Sequence, residues 1–133
     1  MTPTSLDENI VRYIISKLQC THPFYISRIL FIAESKALDT TGKRLTSLTY
    51  KGASFGFYIE ELPSLIEELE KRGCIERHEE KGCIKYTCEE PDIPQEIKRV
   101  LDEAIESTAT LSPRELNRLT VNNPHYKELV EKA

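Results

Sequence analysis

The four cysteines are the residues of this sequence best suited to metal binding or redox chemistry. Cys20, Cys74, Cys83 and Cys88 are separated by 53, 8 and 4 residues, so the chain has no C-x-x-C pair and no ordinary zinc or iron–sulfur spacing. Disulfides are rare in cytosolic proteins, and a buried free cysteine behaves as a small apolar side chain. We therefore expect free, mostly buried thiols and no bound metal.

The three histidines are the remaining candidates for catalysis. His22 precedes a predicted helix, His78 lies on a charged strand and His125 follows a helix break, and no Ser or Cys nucleophile stands in a recognisable motif. Cys20 is close to His22 in sequence, but a catalytic dyad needs a third group to orient it. The sequence also contains no P-loop, no dinucleotide fingerprint and no HExxH. We expect a protein that is not an enzyme and uses no cofactor.

Composition and charge indicate an acidic globular protein. The 133 residues are 39% hydrophobic and 30% charged, with a net charge of −4. The acidic excess lies in residues 86–133, which carry 6 basic and 10 acidic side chains. A dedicated nucleic-acid-binding domain usually has a pI above about 9, whereas the pI here is about 5.5. The sequence has no membrane-length apolar run and no signal peptide at its start, so we expect a cytoplasmic protein with no membrane partner.

Helix signals predict how the first half of the chain is organised. Residues 5–8 have capping-box spacing and apolar residues follow at helical intervals, which predicts a helix over 6–19. A second helix starts at Pro23 and is apolar on nearly all faces, as in a central, buried helix. Residues 45–50 are rich in β-formers and indicate a brief edge strand. The glycine-containing segment 51–57 is predicted to be a loop.

A β-hairpin is predicted from residues 74–79 and 83–88. With Lys81-Gly82 as a two-residue turn, each strand has one apolar and one polar face. A three-residue turn would instead place Cys74 opposite Cys88, where the two thiols could oxidise. We favour the Lys-Gly turn.

Further helices are predicted before and after this hairpin. One ends at Gly73, and one spans residues 94–108. Another starts at a capping box over residues 112–115, and a short last helix runs from His125.

The order of helix, helix, short strand, helix, hairpin and further helices resembles that of small winged-helix transcription regulators. The similarity is clearest from Tyr50 to Cys88, where LIEELEKRGCIER precedes a charged hairpin ending in KYTC. It implies a mainly helical α+β fold, with a helix-turn-helix core and a two-stranded wing in residues 1–90. It also implies a C-terminal helical extension over 91–133 that forms a homodimer.

The same resemblance implies that double-stranded DNA is the partner. The helix before the wing would enter the major groove, and the wing tip would contact phosphate. The DNA-binding residues expected on this basis are Lys43, Arg44, Lys51, Lys71, Arg72, Arg77, Lys81 and Lys85.

The helix before the wing departs from the DNA-binding pattern on its outward face. This face is mostly glutamate, and phosphates repel glutamate. Its charges also match an ordinary solvated helix surface.

The alternative function is a protein-interaction module, antitoxin-like or adaptor-like, with a basic protein partner. Phe55, Phe57 and Tyr58 are the candidate partner contacts, or else they fill the seam between the second and third helices.

A longer stretch, residues 24–126, resembles the Panacea-type antitoxin-associated proteins. The similar pieces are a buried helix at 28–33, a G-x-x-L turn at 42–45, a Gly-Phe pair at 56–57 and an S-x-x-E-L helix start at 112–116. Of the two functions, the sequence alone slightly favours the DNA-binding transcriptional regulator over the interaction module.

Overall fold

The computed structural model describes residues 4–131, which form six helices and five short strands. The helices are α1 (Ser5–Lys17), α2 (Pro23–Thr41), α3 (Leu62–Lys71), α4 (Gln95–Thr108), α5 (Pro113–Val121) and α6 (Tyr126–Leu129). The strands are β1 (Tyr50–Ala53), β2 (Gly56–Ile59), β3 (Ile75–His78), β4 (Cys83–Tyr86) and β5 (Val130–Glu131). Helices account for about 54% of the described residues, which confirms the mainly helical α+β class. Among these residues no helix is both long and apolar enough to cross a bilayer.

Helix α2 is the centre of the fold. Of its 19 residues 11 are buried, and α1, α4 and α5 all pack against it. This confirms the position expected for a helix that is apolar on every side. Leu101 and Ala104 of α4 belong to the same core, and the Tyr13 hydroxyl of α1 donates a 2.7 Å hydrogen bond to Asp102. The C-terminal helices therefore share one core with the rest of the chain, across the boundary predicted near residue 90.

Helix α1 is capped one residue earlier than predicted. The Thr4 hydroxyl accepts a 3.0 Å hydrogen bond from the Asp7 amide, and the Asp7 carboxylate accepts one of 3.1 Å from the Thr4 amide. The box predicted over residues 5–8 is therefore wrong by one position. Glu8 is left to form an ion pair with Arg72 at the end of α3.

A three-stranded sheet occupies the segment predicted to be a loop, so that prediction is wrong. Strands β1 and β2 are antiparallel, β5 pairs with β1 in parallel, and the order is β2-β1-β5. Ser54 and Phe55 form the turn between β1 and β2. Gly56 follows them with a φ of +123°, a conformation that residues with a side chain rarely adopt. The glycine that indicated a loop is therefore what allows the hairpin to close.

Three carboxylates hold the irregular segment that leads into β1. The edge strand predicted over 45–50 is wrong except at Tyr50, where β1 begins. Glu34, Asp7 and Glu61 accept hydrogen bonds of 2.8 to 3.1 Å from backbone amides of this segment. The donors are Leu45, Thr46, Ser47 and Thr49. Because side chains already accept from these amides, the segment does not need a neighbouring strand to satisfy them.

Strands β3 and β4 form the predicted hairpin in a different register. Ile75 pairs with Tyr86 and His78 with Cys83, which leaves residues 79–82 as a four-residue turn. The two-residue turn that the sequence favoured and the three-residue alternative are both wrong. The observed register differs from the favoured one by two positions, so the side chains of the paired residues 75–78 and 83–86 keep their predicted faces. Cys74 and Cys88, just outside these pairs, do not, because the favoured register put them on opposite faces and they are bonded to each other.

The cysteines form two disulfides, which corrects the expectation of free thiols. Cys20 is bonded to Cys83 and Cys74 to Cys88, with Cα atoms 5.4 and 4.8 Å apart. Both separations fall in the usual range of roughly 4.4–6.8 Å. The residue after Cys20 forms an isolated antiparallel bridge with Ile84, and this bridge brings the α1–α2 connection to β4. Local sequence spacing does not predict the Cys20–Cys83 pairing, because the two cysteines are 63 residues apart.

Helix α3 lies between the two hairpins. Pro63 is in its first turn and Gly73, with a φ of +77°, follows its end, as the sequence predicts. The β3–β4 hairpin then follows, as in winged-helix proteins. The β1–β2 hairpin and its parallel partner β5 are additional to that pattern, so the winged-helix arrangement stays a prediction.

Candidate functional site

Most of the basic residues predicted to contact DNA form ion pairs within the protein. Five of the eight lie beside carboxylates, and in four of these pairs the N–O distance is between 2.9 and 3.4 Å. The pairs are Arg44–Glu34, Lys51–Glu131, Lys71–Glu67, Arg77–Glu70 and Arg72–Glu8. These ion pairs weaken the attraction of the cations for phosphate. They also neutralise part of the negative charge on the outward face of α3.

Arg44 is the most firmly held of these cations. Its guanidinium donates to both carboxylate oxygens of Glu34, at 3.0 and 2.9 Å, and Glu34 is fully buried. The Tyr50 hydroxyl donates to the same carboxylate at 2.6 Å. Burial and the neighbouring Glu34 raise the pKa of Tyr50, so this hydroxyl keeps its proton and remains a donor.

Three predicted DNA contacts form no ion pair within residues 4–131. Lys43 follows α2, whereas Lys81 and Lys85 lie on the β3–β4 hairpin, and all three side chains are exposed. Their contact with DNA stays a prediction.

The three aromatic residues proposed as partner contacts separate into one core residue and two surface residues. Phe57 is fully buried and packs on Phe31 and Tyr50, so its assignment as a partner contact is wrong. Phe55 and Tyr58 are 58% and 46% exposed, although large aromatic side chains are normally buried. Tyr58 faces away from Phe57 because neighbouring strand residues point to opposite faces, whereas Phe55 is exposed because it lies in the turn before β2.

An apolar pocket of about 230 Å³ lies beside these two exposed aromatics. Strand β2, the first turns of α2 and the start of α3 form its walls. Its lining includes Pro23, Phe24, Phe55, Tyr58 and Leu62. We call the pocket and its two exposed aromatics, Phe55 and Tyr58, the aromatic patch.

A buried arginine stands behind the aromatic patch. Arg28 is 2% exposed, and its guanidinium carbon lies 4.3 Å from the ring centre of Phe24 and 4.1 Å from that of Phe57. Burial lowers the pKa of Arg28 to about 10, so it is charged at neutral pH. Its hydrogen-bond acceptors within residues 4–131 are neutral: Asn117 Oδ1, at 2.8 and 3.2 Å, and Ser27 Oγ at 2.9 Å.

Asn117 of α5 connects this arginine to the β1–β2 turn. Its Nδ2 donates a 3.0 Å hydrogen bond to the Phe55 carbonyl, while its Oδ1 accepts from Arg28. A Cβ atom at Gly56 would lie 2.8 Å from Asn117 Oδ1, so only glycine fits there without movement. Tyr126 adds a 2.9 Å hydrogen bond from its hydroxyl to the Gly56 carbonyl. The turn that presents Phe55 is therefore held from behind by α2, α5 and α6.

Sequence reasoning missed both Arg28 and Asn117. Arg28 is the only charged residue in residues 23–33, an otherwise apolar helical stretch, and this signal marks it as a special position. Nothing in the local sequence distinguishes Asn117, because its partners are 62 and 89 residues away.

The histidines do not come together. His22 caps α2 by accepting from the Phe24 amide at 3.1 Å, and His78 lies on β3. His125 lies 2.7 Å from Asp39 and 3.2 Å from Glu128, and these hydrogen bonds raise its pKa. Within residues 4–131 no group of three His, Cys, Asp or Glu side chains is placed to hold a metal ion.

Comparison with known proteins identifies the family. Residues 26–126 match the family model described as Antitoxin SocA-like, Panacea domain. The chain belongs to this family. No curated protein and no solved structure matches. The Panacea resemblance seen in the sequence is thereby confirmed, whereas the resemblance to winged-helix regulators is not.

The sequence pieces that carried the Panacea resemblance occupy connected positions in the fold. Residues 28–33 supply Arg28 and the centre of α2, and residues 56–57 supply the glycine and the phenylalanine that pack against it. Residues 112–116 start α5 with the predicted capping box, which sets the helix that carries Asn117. Three of the four pieces therefore build the support of the aromatic patch.

Proposed function

We propose that this protein is an antitoxin-like module that binds a protein partner through the aromatic patch. One observation carries the proposal: Phe55 and Tyr58 are exposed beside an apolar pocket, and the turn that carries Phe55 is held by Asn117, which also accepts from the buried Arg28. Exposed aromatics beside an apolar pocket are typical of protein-interaction hot spots. Membership of an antitoxin-like family supports the same conclusion.

The rigid support of the patch favours tight binding. A side chain already held in its binding conformation loses less entropy when a partner docks. Here the Phe55 carbonyl is bonded to Asn117 and the Gly56 carbonyl to Tyr126, so the backbone on which Phe55 is carried is fixed. The proposed role needs no catalytic group, and it involves binding alone.

DNA binding remains the second candidate function. The observation in its favour is the exposed pair Lys81 and Lys85 on the β3–β4 hairpin, neither of them in an ion pair within the described residues. The internal pairing of the other predicted contacts and the low pI both weigh against it. A homodimer also stays a prediction, which the molar mass from light scattering checks.

A neutralisation selection tests the proposed function even while the partner is unidentified. Fragments of the source genome are expressed under an inducible promoter, and those that stop growth alone but permit growth with this protein are kept. We expect at least one such toxic fragment to encode a protein that binds the purified chain directly. The double variant Phe55→Ala, Tyr58→Ala should lose rescue, whereas Leu6→Ala, an exposed apolar residue of α1, should keep it.

Two results would contradict the proposal. One is a selection that yields no neutralised fragment although the protein is folded and abundant. The other is rescue that survives the double variant. A parallel recovery of sheared genomic DNA at physiological salt tests the second candidate, because discrete enriched sites lost in Lys81→Glu, Lys85→Glu would establish DNA binding.

A further inference from the structure

The two disulfides differ in what they join and in how exposed they are. Cys74 and Cys88 lie at the two ends of the β3–β4 hairpin, where the Thr87 amide also donates a 2.9 Å hydrogen bond to the Cys74 carbonyl. Cys74 is 8% exposed. Cys20 and Cys83 instead join the α1–α2 connection to β4, and Cys20 is exposed. A reagent in solution therefore reaches the Cys20–Cys83 bond more easily.

A histidine lies next to Cys83. His78 is directly opposite Cys83 in the β3–β4 pair, and such residues lie on the same face with Cβ atoms roughly 4.5–5.5 Å apart. The Nε2 atom of His78 is buried and has no hydrogen-bond partner within residues 4–131, since the Glu76 carboxylate is 3.8 Å away. An imidazole beside a cysteine stabilises the thiolate. Cys83 is therefore suited to leave as a thiolate when the disulfide opens.

The segment that carries Cys20 leads directly into a wall of the aromatic patch. Residues 22–24 line its pocket, and the first two of them also line a second cavity, of about 300 Å³, together with Cys83. Thr21, between Cys20 and this wall, exchanges two backbone hydrogen bonds with Ile84, of 3.0 and 2.7 Å. Two hydrogen bonds and the disulfide thus hold the wall to β4. Opening the disulfide removes the covalent part of this attachment.

We infer that the Cys20–Cys83 disulfide is a thiol-exchange site that regulates the aromatic patch. A low-molecular-weight thiol, as its thiolate, attacks Cys20 Sγ and forms a mixed disulfide with it. The Cys20–Cys83 bond breaks, and its electron pair goes to Cys83 Sγ, which leaves as a thiolate beside His78. A second thiol molecule then releases Cys20 as a thiolate, and the two external thiols end as their own disulfide. Two electrons pass from the external thiols to the protein.

Opening this bond weakens partner binding. A wall that is free to move must be ordered when a partner docks, and this ordering costs binding free energy. The disulfide form of the same external thiol closes the bond again by the reverse steps, so the wall is fixed in the oxidised protein. The exchange site stands by itself, whereas its effect on binding rests on the proposed function.

Reduced glutathione is the probe for the exchange step. Peptide mapping after acid quenching and alkylation follows each disulfide of the full-length protein. We expect Cys20–Cys83 to open at a glutathione concentration about 10-fold below that which opens the other disulfide, with glutathione carried on Cys20. His78→Gln should slow this opening by about 3-fold or more. The matched control is His125→Gln, the same substitution at a histidine that contacts neither disulfide, and it should leave the rate unchanged.

Amide hydrogen exchange measures the effect on the wall without a partner. In Cys20→Ser, Cys83→Ser the Thr21 and Ile84 amides should exchange roughly 10-fold faster than in the wild type, while residues 29–33 in the centre of α2 keep their protection. The matched control is the double serine variant of the other disulfide, which should leave the Thr21 and Ile84 amides unchanged. Wild-type protein opened with glutathione gives the same comparison without a substitution. For a neutralised toxin, opening should raise Kd by roughly 3- to 10-fold.

Three results would overturn the inference. They are opening of both disulfides at the same glutathione concentration, equal opening rates in His78→Gln and His125→Gln, and faster amide exchange throughout α2 when the Cys20–Cys83 bond is lost. None of them needs a partner, so they are separate from failure of the proposed function. A toxin that binds the oxidised and the opened protein equally well would keep the function and remove the regulation. Selective opening with no toxin neutralised would keep the exchange site and remove the antitoxin role.

Discussion

Replacing Asn117 by alanine tests the support of the aromatic patch. In the folded protein this side chain accepts two hydrogen bonds from Arg28, at 2.8 and 3.2 Å, and donates one of 3.0 Å to the Phe55 carbonyl. Asn117→Ala leaves two N–H groups of a buried guanidinium without an acceptor. Ser27 Oγ, bonded to the third nitrogen at 2.9 Å, is the one acceptor that remains within residues 4–131.

The expected cost follows from these contacts. A hydrogen bond to a charged group contributes about 1.5–3 kcal/mol, and an unsatisfied buried charge costs at least as much. Asn117 is itself only half-buried, so water can enter and recover part of the loss. We expect the free energy of unfolding to fall by about 3 kcal/mol, which lowers Tm by about 10 °C for a chain of this size.

Urea denaturation followed by circular dichroism measures this change. The matched control is Asn122→Ala, the same substitution at an exposed position just after α5, which should stay within about 0.5 kcal/mol of the wild type. Asn117→Asp keeps an acceptor for Arg28 but loses the donor to Phe55, so its stability should lie between the wild type and Asn117→Ala. An Asn117→Ala protein within about 1 kcal/mol of the wild type would refute the reasoning, as would an equal loss in Asn122→Ala.

Three further predictions concern the groups that hold the fold. Glu34→Gln removes the negative charge of a fully buried acceptor and should destabilise the protein by about 3–5 kcal/mol in urea denaturation, so a loss below 1 kcal/mol would contradict the assigned network. The pKa of His125 is raised above its usual 6.5 by hydrogen bonds to Asp39 and then Glu128, so its stabilising contribution is complete below about pH 6.5 and is lost as pH rises through the raised value. The fall in Tm from pH 6 to pH 8 should therefore be smaller in His125→Gln, and an unchanged fall would count against the pairing. The Cys74–Cys88 disulfide joins residues 14 positions apart, and removing it with Cys74→Ser, Cys88→Ser should lower the free energy of unfolding by roughly 3 kcal/mol. Peptide mapping of the wild-type protein without reductant should recover the Cys74–Cys88 pair.

The sequence predicted the elements that have strong local signals. The apolar run of α2, the capping box at Ser112 and the glycine stop after α3 each depend on residues within a few positions of one another. The side-chain faces of the β3–β4 hairpin were predicted for the same reason, because a shift by two positions leaves alternation unchanged.

The remaining features depend on contacts between distant residues. The 45–49 segment is rich in β-formers, yet carboxylates from α1, α2 and the start of α3 accept from its amides. The pairing of Cys20 with Cys83 depends on a bridge between segments 63 residues apart. The candidate site was half predicted: Phe55 and Tyr58 are at the surface as proposed, whereas Arg28 and Asn117 were missed because their contacts are long-range.

The most direct test of the account is the affinity of a neutralised toxin for the wild-type protein and for Phe55→Ala, measured by titration calorimetry. Phe55 is 58% exposed, and a phenylalanine side chain has a surface of about 200 Å². A partner that covers this exposed part gains at most about 3 kcal/mol of binding free energy from its burial. We predict that Kd rises by at least 10-fold, and by up to roughly 100-fold, in Phe55→Ala while its Tm stays close to that of the wild type. An unchanged Kd in a folded Phe55→Ala protein would contradict binding through the aromatic patch.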